Sequence, residues 1–302
     1  MFSSHFWKRA NCVVNFLLSI ALVIGAIHVA FNLITLSSLP PIKCKGNSTD
    51  DPQISYKYKK GTISGRNILL ITICTPLLEF LVGEFLLSKE PQNVRKRYQS
   101  KSRLKTTLLM AFRWHWHYFL GTAFVILLVG TAKITAGRPR PYWIDSCKPQ
   151  FDQEDCRYGM VYNYTCTNSG LSNLKIRDGR VSFPSAHSAL SFYQAICMVL
   201  YQTYRLGARR WGPSVVVFLH AIWCCWAMYC SASRLADRHH HLEDIIAGGA
   251  VGVVVAWFVV AGLSRKFCAL VDAEDQNQQG RTQNHEMESV ISPKVERAIR
   301  PF

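Results

Sequence analysis

The stretch "SRLADRHHHLED", residues 233–244, sets three consecutive histidines between an arginine and two carboxylates, at the point where two long apolar runs meet. A cluster this polar marks an end of both runs, so the architecture turns on what those runs are. Hydrophobic residues make up 49% of the 302-residue chain. They gather into stretches of about 20, the length of a helix that crosses a ~30 Å hydrocarbon core. Six such runs can be read, at 11–36, 66–87, 114–137, 188–204, 211–233 and 245–263, with only "RLGARR" between the fourth and fifth. Lipid offers backbone groups no partner, so each run must be a helix. The first is too long and too apolar for a secretory signal peptide and lacks a clear small-residue cleavage site, so it reads as a retained span. The expected fold class is an all-α integral membrane protein, a bundle of six transmembrane helices with one elaborate outer face.

The net charge of +16 would suggest nucleic acid in a soluble protein. Here the basic residues flank apolar runs and suit anionic headgroups instead. Loop 88–113 carries Lys89, Arg95, Lys96, Arg97, Lys101, Arg103, Lys105 and Arg113 against Glu90, which reads as cytosolic. Both termini then lie in the cytosol. Loops 37–65 and 138–187 lie outside, and each holds a glycosylation sequon, at Asn47 and Asn163. Of the 11 cysteines, Cys44, Cys147, Cys156 and Cys166 fall in these outer loops. An oxidising compartment permits disulfides there, with the pairing open. Cys12, Cys74, Cys197, Cys224, Cys225 and Cys230 read as small packing residues, and Cys268 as a palmitoylation candidate. Residues 1–266 form the expected domain. Residues 267–302 are a polar tail without periodicity, expected to be cytosolic and disordered.

Three polar clusters fall on the outer face. In "KITAGRPRP", 133–141, Lys133 and Arg140 are two helical turns apart and share a face while the helix lasts, until Pro139 and Pro141 end it. Alone, the pair also reads as basic residues reaching an interface. In "SFPSAHSAL", 182–190, His187 sits in a polar turn that opens the fourth span. Helix N-termini attract phosphate, although Pro184 and Ser185 also fit a plain N-cap. In the third cluster, His240 and Asp244 are an i, i+4 pair at the start of span six, and His239 and Glu243 are a second one. A zinc site would want three or four ligands, and Arg234 and Arg238 argue against concentrating a cation there. Together, Lys133, Arg140, His187, Arg234, His240 and Asp244 describe an anion site with proton-transfer groups and no metal.

These three motifs in order resemble the lipid phosphate phosphatases of the type 2 phosphatidate phosphatase (PAP2) superfamily. The family's Lys, six residues, Arg-Pro is matched by Lys133 to Arg140-Pro141. Its Pro-Ser-Gly-His is matched by Pro184-Ser185-Ala186-His187, with alanine in place of the glycine. Its Ser-Arg, five residues, His, three residues, Asp is matched by Ser233-Arg234, His240 and Asp244. "YKYKKGTIS" and "GRPRPYW" add to the likeness. The resemblance implies metal-free hydrolysis of phosphatidate, lysophosphatidate, sphingosine 1-phosphate or ceramide 1-phosphate at the extracellular or luminal surface, in the plasma membrane or an endomembrane. It implies that His240 attacks phosphorus, Asp244 orients it, and His187 protonates the leaving alkoxide. It implies that Lys133, Arg140, Arg234, Ser185 and the Ala186 N–H hold the phosphate. A homo-oligomer rests on the resemblance alone. The alternatives are a lipid phosphotransferase, a catalytically inactive lipid-binding or scaffold relative, and a transporter. Every motif side chain is present, and a transporter's polar residues belong near mid-membrane. If position 186 required positive φ, alanine there would be strained.

Overall fold

The computed structural model describes residues 17–29, 39–46, 48–87, 103–156, 158–206 and 212–260. The apolar runs are helices: α1 (Leu17–Val29), α2 (Gly65–Leu87), α3 (Arg103–Ala136), α6 (Ala186–Tyr201), α7 (Pro213–Ala236) and α8 (Leu242–Val260). Four of them, α2, α3 from Thr107, α7 and α8, are long and apolar enough to cross a bilayer. α1 and α6 are shorter, and a π-helical turn at Gln202–Leu206 extends α6. α3 begins at Arg103, earlier than the apolar run at 114, because the apolar residues 108–112 extend that run N-terminally across Arg113. Its 34 residues span about 51 Å at 1.5 Å per residue, well beyond a ~30 Å core. The N-terminus, residues 88–102, the tail 267–302, Asn47, Cys12 and Cys268 lie outside the described residues, so expectations about them do too.

Inside the bundle, Phe80, Trp114, Tyr118, Tyr193 and Tyr201 pack with aliphatic side chains of α3, α6 and α8. Glu79 accepts hydrogen bonds from Gln202 Nε2 at 2.7 Å and Trp223 Nε1 at 2.9 Å, so this acid joins α2 to α6 and α7. Glu84 is buried and takes both prongs of Arg205 at 2.9 Å. Gly248 and Gly252 of α8 lie directly against the Ser185 and Ala189 carbonyls of α6, a backbone approach that only small residues allow.

One end of the bundle carries a small cap, where strands interrupt the expected all-helical pattern. β1 (Ile42–Lys45) pairs antiparallel with both β2 (Ser48–Thr49) and β4 (Met160–Val161), and β3 (Pro149–Gln150) pairs with β5 (Thr165–Cys166). Two short helices, α4 (Trp143–Cys147) and α5 (Asn173–Asp178), complete it. Ile42, Ile54, Trp143, Val161, Tyr164 and Ile176 form its own core. Disulfides join Cys44 to Cys156 and Cys147 to Cys166. The first links the segment before α2 to the segment between α3 and α6, across 112 residues. Asn163 is exposed between β4 and β5.

Candidate active site

The three motif segments meet under the cap. Lys133 lies in the last turn of α3. The helix then ends at Ala136, before either proline, because Gly137 takes a left-handed turn with φ +53°. Arg140 therefore leaves the helix, and the shared face expected for the pair does not form. Lys133 Nζ instead donates to the carbonyls of Val181 (2.9 Å) and Ser182 (3.1 Å), at the approach to α6. Arg140 donates through Nη2 to Asp178 Oδ1 at 2.7 Å and through Nε to the Asp178 carbonyl at 3.0 Å. Its Nη1 lies 3.4 Å from His239 Nδ1. Burial disfavours the Arg140 charge, but Asp178 more than offsets this and holds its pKa above the ordinary value.

Ser185 is the N-cap of α6, its hydroxyl oxygen accepting the Ser188 N–H at 3.4 Å. Its own N–H donates to the Asp244 carbonyl at 2.9 Å, which welds the start of α6 to the start of α8. Ala186 is the first helical residue and has ordinary negative φ, so a positive-φ requirement at this position does not arise. His187 follows it, half-buried, with Nε2 3.1 Å from the Ile63 carbonyl. The same carbonyl accepts Arg234 Nη1 at 2.9 Å. Two proposed site residues thus converge on one backbone oxygen of the loop that precedes α2.

α7 ends at Ala236, and Arg238 takes a left-handed conformation (φ +59°) with its guanidinium over the Tyr56 ring. That turn reverses the chain and delivers His239 and His240 before α8 begins at Leu242. Helical i, i+4 geometry consequently does not govern this segment. The expected pair of His239 with Glu243 is absent: His239 Nε2 faces the Lys59 carbonyl at 2.8 Å, while Glu243 faces Arg138 at 3.4 Å. His240 and Asp244 do meet, Nδ1 to Oδ2, at 3.5 Å. Asp244 Oδ2 also accepts the Ser182 hydroxyl and the His241 N–H (2.9 Å), a capping-box contact at the start of α8.

Lys133, Arg140, Arg234, His240 and Asp244 are all buried, none more than 7% exposed. Charges taken from water need partners, and each cation here has a carbonyl or carboxylate. Burial pushes the His240 imidazole well below its ordinary pKa. The neighbouring Asp244 carboxylate opposes this, while Arg140 and Lys133 push the same way. His240 Nδ1 is turned toward Asp244 and Ser182 (3.3 Å), so Nε2 is its other available nitrogen. Among the described residues, no group of three or more His, Cys, Asp or Glu side chains is arranged to hold a metal ion.

Several site residues carried no sequence signal. Asp178 at the end of α5, and Ser182, Thr62, Asp237 and the Ile63 carbonyl in the connecting segments, reach the site by tertiary approach. Asp237 accepts the Thr62 N–H at 2.7 Å and its hydroxyl at 3.1 Å, and pairs with Arg234 at 3.2 Å. This clamp holds loop 56–64 over the site. At Gly61 an added Cβ would come within 2.9 Å of Arg234 Nη1 and 3.4 Å of His239. The run "YKYKKGTIS" hinted at such a role only through its likeness to a family.

A family model described as the PAP2 superfamily matches residues 114–268. The chain is 26% identical over 245 residues to phospholipid phosphatase 1 of Rattus norvegicus, covering 80% of this chain and 83% of that protein. It is 28% identical over 255 residues to phospholipid phosphatase 2 of Mus musculus, covering 83% and 87%. A Caenorhabditis elegans protein named phospholipid phosphatase homolog 1.2 homolog is 29% identical over 236 residues, covering 76% and 68%. No solved structure matches the chain.

Proposed function

The chain belongs to the PAP2 superfamily, and from that membership we propose that it is an integral-membrane phosphatase that hydrolyses lipid phosphomonoesters through a phosphohistidine. The observation that carries this reading is the convergence of Lys133, Arg140 and Arg234 with His187, His240 and Asp244 at one end of the bundle. His240 Nε2 attacks phosphorus, and the bond to the lipid oxygen breaks with its electron pair staying on that oxygen. His187 supplies the proton to the leaving alkoxide. Water then attacks the phosphoimidazole, giving its proton to His187; the N–P bond breaks, and His240 and inorganic phosphate are released. Asp244 orients His240 and balances the positive charge that develops on its ring. In the resting arrangement, Arg234 and His187 are engaged by the Ile63 carbonyl. Phosphoryl and leaving-group oxygens take over those donors when substrate enters. Lys133, Arg140, Ser185 and the Ala186 N–H complete the phosphate cradle; losing one well-placed donor typically costs roughly 10²–10³ in rate. No step calls for a metal.

The substrate follows from the site's place at the helix ends, where a phosphorylated headgroup is reached while the tail stays in the bilayer. Phosphatidate, lysophosphatidate, sphingosine 1-phosphate and ceramide 1-phosphate are the proposed substrates. We place six spans in the membrane, α1 and α6 included, with the capped end extracellular or luminal and both termini cytosolic. The plasma membrane is the proposed residence. Support comes from both disulfides and Asn163 lying in the cap.

The direct test is phosphate release by the purified protein from each of these lipids, beside the His240→Ala variant. Turnover by the parent and a drop of at least roughly 10³ in the variant are expected. Equal activity in His240→Ala removes the nucleophile, and transfer of the phospho group to a lipid alcohol instead of water makes the protein a phosphotransferase. Activity should also survive excess EDTA; a loss that added magnesium or zinc reverses would overturn the metal-free chemistry.

A further inference from the structure

Arg138 lies inside the first motif but is not one of the residues that make the motif recognisable. It follows Gly137 in the irregular segment after α3, and its side chain is 33% exposed. Yet it touches both of the other motif segments. Its Nη1 donates to Asp244 Oδ1 at 3.0 Å, and its Nη2 lies 3.4 Å from Glu243. Its carbonyl accepts the Ser182 N–H at 2.7 Å. Ser182 is the residue whose hydroxyl donates to Asp244 Oδ2 and lies 3.3 Å from His240 Nδ1.

The Asp244 carboxylate is fully buried and divided between two duties. Oδ2 faces His240, His241 and Ser182; Oδ1 faces Arg138. The His240 contact, 3.5 Å, is longer than a formed N–H···O bond of about 2.7–3.2 Å. Asp244 is thus held partly away from the imidazole, and a guanidinium neutralises much of its charge. A full negative charge against Nδ1 would favour the protonated imidazole, which has no lone pair with which to attack. The other charged groups facing this pair are Lys133 on α3, Arg140 beyond it, and His241 and Glu243 at the start of α8. Of these, His241 meets the carboxylate through Oδ2, and Glu243 faces Arg138.

We infer that Arg138 is a positioning residue: through Asp244 it fixes the orientation of His240 and keeps that imidazole unprotonated for attack. The inference rests on the phosphatase reading above. It predicts that Arg138→Gln lowers kcat by about tenfold or more while KM stays within about twofold, since the phosphate cradle is untouched. It also predicts that the acid limb of kcat/KM moves to higher pH by about one unit, because a carboxylate freed of its cation favours the charged neighbour. Arg138→Lys, which keeps the charge, should return the limb toward its original position. Parallel NMR titration of the His240 ring in both variants gives a readout independent of turnover. An unmoved titration and an unmoved acid limb in Arg138→Gln would reduce Arg138 to a structural ion pair and overturn the inference. A shifted titration in a protein that releases no phosphate from any lipid would leave Arg138's effect standing and sink the phosphatase reading instead.

Discussion

His240 is a titratable group whose surroundings have been turned against its charged form: burial, Arg140 and Lys133 all disfavour the imidazolium, and only Asp244 opposes them. An unfolded histidine titrates near 6.5. As pH falls through that value the unfolded chain binds a proton that the folded site refuses, so stability declines below about 6.5 and is unaffected by this group above it. Asp237 adds to the trend at lower pH. Burial alone would raise its carboxyl, but the Thr62 hydrogen bonds and the Arg234 and Lys59 charges hold it below the ordinary carboxylate value. Its stabilisation is present above about 3.8 and lost as pH falls through the depressed value. The midpoint of thermal unfolding in detergent should therefore fall between pH 7 and 5, and His240→Gln should flatten that fall; a parental midpoint constant over this interval would contradict the burial of a neutral His240. At this scale the motif residues were legible in the sequence because their spacing recurs in a known pattern. Asp178, Ser182 and the Ile63 carbonyl were not, since what brings them to the site is the path of the loops. The pairing of His239 with Glu243 failed for a local reason: i, i+4 contacts need a helix, and here the helix starts two residues after His240.

Among the elements, the contact between α6 and α8 bears most directly on the site, because the Ser185 N–H and the Asp244 carbonyl join their N-termini. Gly248 and Gly252 make that approach possible. A methyl group at Gly248 would collide with the Ser185 carbonyl, which is backbone and has little room to yield. At Gly249 the same methyl would meet the edge of the Phe192 ring, 3.2 Å away, and a side chain can turn. Gly248→Ala should thus destabilise by about 1–3 kcal/mol and lower activity severalfold. Gly249→Ala should be much milder in both. Equal effects in melting and turnover assays would show that the α6–α8 approach does not hold the site. Helix positions were legible from hydrophobicity to within a few residues in most cases. The exception is α3, whose first turns interleave Arg103, Lys105 and Arg113 with the apolar residues at 108–112 and so read as part of a basic loop. The short strands of the cap were not foreseen, as pairs of two to four residues leave no measurable period.

At the scale of the molecule, a bundle of apolar helices supports a disulfide-tied cap, and the site lies between them. The Cys44–Cys156 bridge ties the segment preceding loop 56–64 to the segment between α3 and α6. Removing it with Cys44→Ser and Cys156→Ser should lower the unfolding midpoint by several degrees and reduce turnover; an unchanged midpoint would mean that the cap is held by its core alone. The orientation predicts that Asn163 is glycosylated in a eukaryotic host, seen as a glycosidase-sensitive mobility shift that Asn163→Gln abolishes. The central claim is covalent: phosphorus passes through His240. It is tested most directly by mixing the protein with phosphatidate labelled with ³²P, quenching within a turnover and mapping the label by mass spectrometry. The expected result is an acid-labile, base-stable phosphate on the peptide carrying His240, absent from His240→Ala. Label on another residue, or full turnover with no labelled peptide at any quench time, would contradict it.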